Sequence, residues 1–195
     1  MFRRFDDIFE TCGWRVVTLK NGKLQRAAFS RPGGKSLEDW IENCPNADFA
    51  VLTYKGGAAW RERLIADIGG KPHVAKLLDS FDDDGLAALM TNLGGHCIET
   101  LMDAFDSADD ERPTLFIAYT VKGYGLPLAG HKDNHSGMMN PAQIEQLRAS
   151  MGVDVGQEWE PFAGLGGNIA ARLKDFVGQS VLAHKPQEPN APVIA

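Results

Sequence analysis

Between Thr120 and Gly137 the chain gathers residue types able to do chemistry. Lys122, His131, Lys132 and His135 supply positive charge and hydrogen-bond donors, and glycines 123, 125, 130 and 137 permit close backbone approach. In a protein with 26 acidic and 20 basic residues and a net charge of −6, that local excess of cations suits an anionic ligand such as a diphosphate. The histidines can also move protons near neutral pH. Other readings of the same residues stay open. A Gly-rich surface loop with a solvated Lys-Asp-Asn-His cluster has the same composition. His131 and His135, four apart, would suit a metal on a helix, but Gly130 and Gly137 bracket them and no third ligand is evident. Cys97 beside His96 suggests a thiol nucleophile, yet sequence neighbours seldom face each other and a lone cysteine commonly serves as a small core residue.

These residues need a scaffold, and the preceding segment supplies one. Pro113 to Tyr119 is apolar almost throughout and rich in β-formers, as expected of a strand covered on both faces of a parallel sheet. In open α/β sheets ligands bind beyond the carboxyl ends of the strands, which is where the long stretch Thr120 to Asn140 begins. A loop of about 20 residues without structure of its own is uncommon in a compact domain unless it is functional or disordered. Pro141 then restarts a helix at its first turn, with Asn140 as N-cap.

Upstream, Phe2, Phe5, Ile8, Phe9 and Cys12 share one helical face and Gly13 stands where a helix ends. Trp14 to Leu19 then reads as a strand closed by the turn Asn21-Gly22, so the chain opens on half of an α/β unit. Ser36-Leu37-Glu38-Asp39 has the capping-box pattern of a helix running toward Asn43. Gly57 to Ile68, Asp82 to Leu93 and Ile98 to Ala108 carry helical spacing, the last two separated by Gly94-Gly95. One more amphipathic helix is expected around Ile169 to Val181, followed by a disordered or linker tail from His184 to Ala195.

A chain of 195 residues with 44% hydrophobic content is long enough to bury one core without disulfides. Its three cysteines, odd in number and widely spaced, fit a reducing compartment. The acidic balance argues against nucleic acid, and no stretch approaches the ~20 apolar residues that span a bilayer. Met1 to Asp7 carries acids where a signal peptide needs its apolar run, so a cytoplasmic protein without a membrane partner is expected. Trp14, Trp40, Trp60 and Trp159 are expected in the core or at an interface.

The run Val121-Lys-Gly-Tyr-Gly-Leu-Pro-Leu-Ala-Gly-His-Lys-Asp-Asn-His-Ser-Gly137 resembles the homodimeric type of pyruvate dehydrogenase, the decarboxylating first component of its complex. So do the strand Thr114 to Thr120 and the segment Asn92 to Phe105 that precede it, Phe9 to Val17 with its Gly13-Trp14, and Lys55 to Glu62. The likeness covers about residues 1 to 165. It implies an α/β fold, specifically part of the transketolase-like thiamine diphosphate-binding fold, with a parallel sheet flanked by helices. It implies thiamine diphosphate and Mg2+ as cofactors of the intact enzyme. His135 matches the histidine that sits over the cofactor and helps stabilise or protonate intermediates, and His131 and Asn134 fall in the mobile loop that closes over them. Lys122, with Gly123 and Gly125, matches the lysine turn near the active centre. Positioned cationic or hydrogen-bonding groups would stabilise the charge that a decarboxylating 2-oxo acid builds.

Three departures qualify the resemblance. The family's Gly-Asp-Gly to Asn-Asn motif, which holds the divalent ion, is absent from these residues, so no metal ligand is expected in the chain. The glutamate that activates the aminopyrimidine belongs to a following domain. Where the family has Gly-Gly-His-Asp, this chain has Gly94-Gly95-His96-Cys97, which loses a helix-capping oxygen. The expectation is therefore residues 1–152 as the C-terminal part of a diphosphate-binding domain and 153–195 as a linker with one helix and a flexible tail. The implied partners are the remaining domains of the enzyme, a second copy in a homodimer, and the lipoyl-bearing dihydrolipoyl acyltransferase. Ketol transfer of the transketolase type, or a catalytically silent fragment acting as an interaction domain, are the rival readings.

Overall fold

The computed structural model describes residues 2–109 and 111–180. Helix α1 (Phe2–Thr11) leads through Gly13 into strand β1 (Arg15–Leu19), and β2 (Thr114–Ala118) pairs with β1 in parallel, Arg15 facing Thr114 and Leu19 facing Ala118. The long crossover between the strands holds α2 (Lys23–Phe29), α3 (Gly34–Asn43), α4 (Asn46–Lys55), α5 (Gly57–Ile68), α6 (Pro72–Asp79), α7 (Asp83–Thr91) and α8 (Ile98–Asp106). The fold is α/β, a two-stranded parallel sheet flanked by helices.

The apolar core lies among the crossover helices. Leu37 on α3, Trp60 and Leu64 on α5, Leu78 on α6, and Leu86 and Leu89 on α7 are fully buried. Trp60 is its largest member and meets Phe49 and Trp40 edge-on, with ring centroids 5.0 and 6.0 Å apart. Helix α7 starts where Asp82 accepts a hydrogen bond from the Gly85 N–H at 2.7 Å, the N-cap expected of an aspartate there.

Several expectations are corrected. The β2 strand is half-buried and its Ala118 exposed, because a sheet of two strands leaves each with one edge unpaired among the described residues. Helix α3 begins at Gly34, after a turn in which the Gly34 N–H donates to the Arg31 carbonyl, so Ser36 is not its cap and instead accepts from Lys71 Nζ at 3.3 Å. Trp159 is 96% exposed, outside any core. Helices α2, α4 and α6 are additions to the sequence reading of this largely helical region.

The structure divides into two compact units after Met138. The second contains α9 (Pro141–Ser150) and α10 (Gly167–Gln179). Asn140 caps α9 in a full capping box: its side chain accepts from the Gln143 N–H, and Gln143 Oε1 accepts from the Asn140 N–H, both at 2.9 Å. The expected tail 184–195 lies outside the described residues.

Candidate active site

Parallel strands bring both of their carboxyl ends to one side, and the loop after β2 covers that side. Gly94 and Gly95 join the strand ends. The Gly94 N–H donates to the Lys20 carbonyl and the Gly95 N–H to the Tyr119 carbonyl, both at 2.9 Å. A Cβ on Gly94 would lie 2.3 Å from the Leu19 carbonyl oxygen, and one on Gly95 would lie 2.7 Å from that of Tyr119. Only glycines allow this approach, which explains the Gly-Gly step better than a mere helix break. The 3₁₀ turn Gly94–His96 that they form sets His96 against the loop.

His96 Nε2 accepts the Val121 N–H at 2.6 Å, and its ring stacks on Tyr124 with centroids 3.8 Å apart and planes 14° from parallel. Between those two residues the chain turns, the Tyr124 N–H donating to the Val121 carbonyl at 3.1 Å while Gly123 takes φ +72°. Asn134 Nδ2 donates to the Lys122 carbonyl at 2.5 Å, so Asn134 and the turn hold one another. Lys122 Nζ then lies 2.8 Å from His135 Nδ1. An ammonium can only donate, so His135 Nδ1 accepts this hydrogen bond and Nε2 carries the ring's N–H.

The far end of the loop is not structureless: residues Lys132–His135 form a second 3₁₀ turn. His131 caps it, its Nδ1 accepting from the Asp133 N–H at 3.1 Å, and its ring lies 4.6 Å from that of Tyr54 on α4. Of the residues singled out in the sequence, Lys122, Gly123, Asn134 and His135 are thus brought together, and His131 stands in the adjoining wall. Gly125, at φ +80°, has nothing within 4 Å of where a Cβ would be, so its left-handed backbone, not crowding by neighbours, calls for glycine.

These groups open onto a cavity of about 600 Å³, within the range of small-molecule sites. Ile41, Phe49, Ala50 and Ile117 make one wall apolar, while Lys122, Lys132, Asn134 and His135 line the loop side. Lys20 also faces it, paired with Glu42 at 2.5 Å. Burial holds His96 below the ordinary imidazole pKa, which favours the neutral ring that Val121 requires as acceptor. Cys97 stands at the N-cap position of α8 without a side-chain capping bond, its Sγ instead accepting from the Lys23 N–H at 3.4 Å. Burial pushes its thiol up, but the hydrogen bonds from Lys23 and Thr100 outweigh that and leave it displaced downward. His96 does not serve Cys97, since its Nε2 is committed to Val121 and its ring to Tyr124.

Thiamine diphosphate can be tested against this donor set. The Lys122 ammonium and the free N–H of His135 beside an apolar wall fit a ligand with an anionic end and a ring. Among the described residues no three His, Cys, Asp or Glu side chains converge. His96 is the site residue that sequence reasoning missed, having weighed it only as a neighbour of Cys97. The signal available was Gly-Gly-His itself, a step too close-packed for a simple linker.

The fold and cavity together define the class: an α/β protein with a cavity beyond the carboxyl ends of a parallel strand pair. No family model matches the chain. It is 27% identical over 149 residues to the pyruvate dehydrogenase E1 component of Corynebacterium glutamicum, a match that covers 75% of this chain and 15% of the relative. The enzyme of the same name from Escherichia coli is 25% identical over 150 residues, covering 76% of this chain and 16% of its own length. That of Buchnera aphidicola is 22% identical over 202 residues, covering 91% and 22%. The chain is related to a segment of the pyruvate dehydrogenase E1 component, as its Lys-Gly-Tyr-Gly to His-Ser-Gly loop implies, and it spans about 15% of the length of the first of these relatives. Among the described residues no helix is long and apolar enough to cross a membrane.

Proposed function

We propose that this chain supplies the loop side of the active centre of a thiamine diphosphate-dependent 2-oxo acid dehydrogenase, most closely one acting on pyruvate. The observation that carries the reading is Lys122 against His135 at the mouth of a cavity beyond the carboxyl ends of two parallel strands. Residues 1–152 correspond to the C-terminal part of the diphosphate-binding domain and 153–195 to a linker. In the intact enzyme Mg2+ is held by residues outside this set, the assembly is a homodimer, and a lipoyl-bearing acyltransferase takes the acyl group.

Thiamine diphosphate, when bound, supplies the electron sink for decarboxylation. Lys122 and His135 place positive charge and an N–H beside the substrate oxygen or carboxylate, where charge develops. Lys122 occupies His135 Nδ1, which keeps Nε2 as the nitrogen that donates or passes a proton. His131 and Asn134 hold the loop in place, and the wall of Ile41, Phe49 and Ile117 excludes water from one side.

The test is a segment exchange in the Escherichia coli enzyme, putting this chain's matched stretch in place of the native one. The folded chimaera is expected to decarboxylate pyruvate in preference to cleaving sugar phosphates. His135→Ala in that chimaera should lower turnover about 10²- to 10⁴-fold, the usual contribution of a general acid or base. Unchanged turnover in the His135 variant would remove that residue from the chemistry. Preference for sugar phosphates would move the reading to ketol transfer.

A further inference from the structure

The Lys122–His135 pair is exposed, and neither residue lies in a helix or strand long enough to hold it rigid. Something must therefore fix the backbone from which Lys122 reaches. The Asn134 contact fixes only the Lys122 carbonyl, and it comes from the loop's own far end. The one scaffold element that bonds to the Val121–Tyr124 turn through a side chain, among the described residues, is the Gly94–His96 turn. That turn is itself tied to both strand ends through consecutive backbone N–H groups.

We propose that His96 is a positioning residue for Lys122 and His135: it grips the Val121–Tyr124 turn at both ends, by its Nε2 acceptor at Val121 and its ring face at Tyr124. Gripping residues 121 and 124 leaves Lys122 and Gly123 between two fixed points. That fixes the backbone from which the Lys122 side chain departs. The two grips are chemically separable, because a glutamine keeps an acceptor in the Nε2 position without a ring and a phenylalanine keeps a ring without an acceptor. The role given to Lys122 and His135 rests on the proposed function, but their placement by His96 does not.

The experiment uses the full chain and reads geometry, so it stands apart from the activity test. Amide hydrogen exchange at Val121 and Tyr124 is measured in the parent chain and in His96→Gln and His96→Phe, together with the ring ¹⁵N shifts of His135. Loss of the acceptor in His96→Phe should speed exchange at Val121 about five- to tenfold, as expected for one hydrogen bond, and shift His135 Nδ1 as the Lys122 donor leaves it. His96→Gln should return the Val121 exchange and the His135 shift most of the way to the parent values. Melting of the helical core, followed in parallel, should not distinguish Gln from Phe. Unchanged Val121 exchange and His135 shift in His96→Phe would overturn the proposal. So would failure of Gln to rescue while the chain remains folded, since that would make His96 a packing residue alone.

Discussion

The crossover helices and the loop after β2 are held together by different forces. Around Trp60 the structure relies on area removed from water: Leu37, Leu64, Leu78, Leu86 and Leu89 are all fully buried and no single contact is indispensable. Around Lys122 almost nothing is fully buried, and order comes from a few directed contacts, His96 to Val121 and Tyr124, Asn134 to Lys122, Lys122 to His135. Burial is large and non-directional, so it supplies stability, while individual hydrogen bonds contribute only about 1 kcal/mol each but set angles and distances. The loop can therefore be re-aimed by one substitution without unfolding the chain, and the core cannot.

The largest expected effect lies in the core. Trp60→Ala should destabilise the chain by about 3–5 kcal/mol, the range for truncating a buried aromatic, as measured by chemical denaturation. Trp60→Phe should cost less, because it also deletes an indole N–H that has no partner among the described residues. If the alanine variant melted like the parent, burial would not be what distinguishes the core. A smaller effect separates polar contacts inside the helical region from those in the loop. Asp82→Ala removes the N-cap of α7 and should cost about 1 kcal/mol in the same denaturation experiment. A cost below a few tenths would mean that α7 is held by packing alone.

The smallest effect is a titration. Because burial lowers the His96 pKa, the folded chain binds that proton less well than the unfolded chain does. The stability tied to neutral His96 is then fully present above the ordinary imidazole pKa and is lost as pH falls through the folded-state value. An NMR titration of the ring should give a midpoint below that of a model imidazole, with the Val121 amide signal moving along the same curve. A midpoint at or above the ordinary value would remove the half-buried acceptor from the description of the loop.

Legibility in the sequence followed the same division. Helix α5 matched its expected span, Gly57–Ile68, where the buried Trp60 and Leu64 stand four apart. Helix α6 carries Val74, Leu77 and Leu78 at helical spacing behind Pro72, a signal the sequence reading passed over, whereas α2 has only seven residues, and α3 started early because a local turn at Arg31–Gly34 overrode the Ser36 cap. In the loop, residue types alone pointed to Lys122, His131, Lys132 and His135, and the family resemblance added Asn134. They could not reveal that Lys122 bonds to His135 thirteen residues away, or that His96 belongs with them.

By itself the sequence determined the order of the two strands and of most helices, the cation-rich loop after β2 and the likeness of that loop to the pyruvate dehydrogenase first component. Those properties are local, set by periodicity, capping and residue type within one stretch. Only the tertiary structure decided that Gly94 and Gly95 tie two strand ends together and thereby aim His96 at Val121. That outcome depends on parallel pairing across a crossover of about ninety residues, with Arg15 opposite Thr114, and no pattern within a single segment encodes which distant backbones will come within hydrogen-bonding distance.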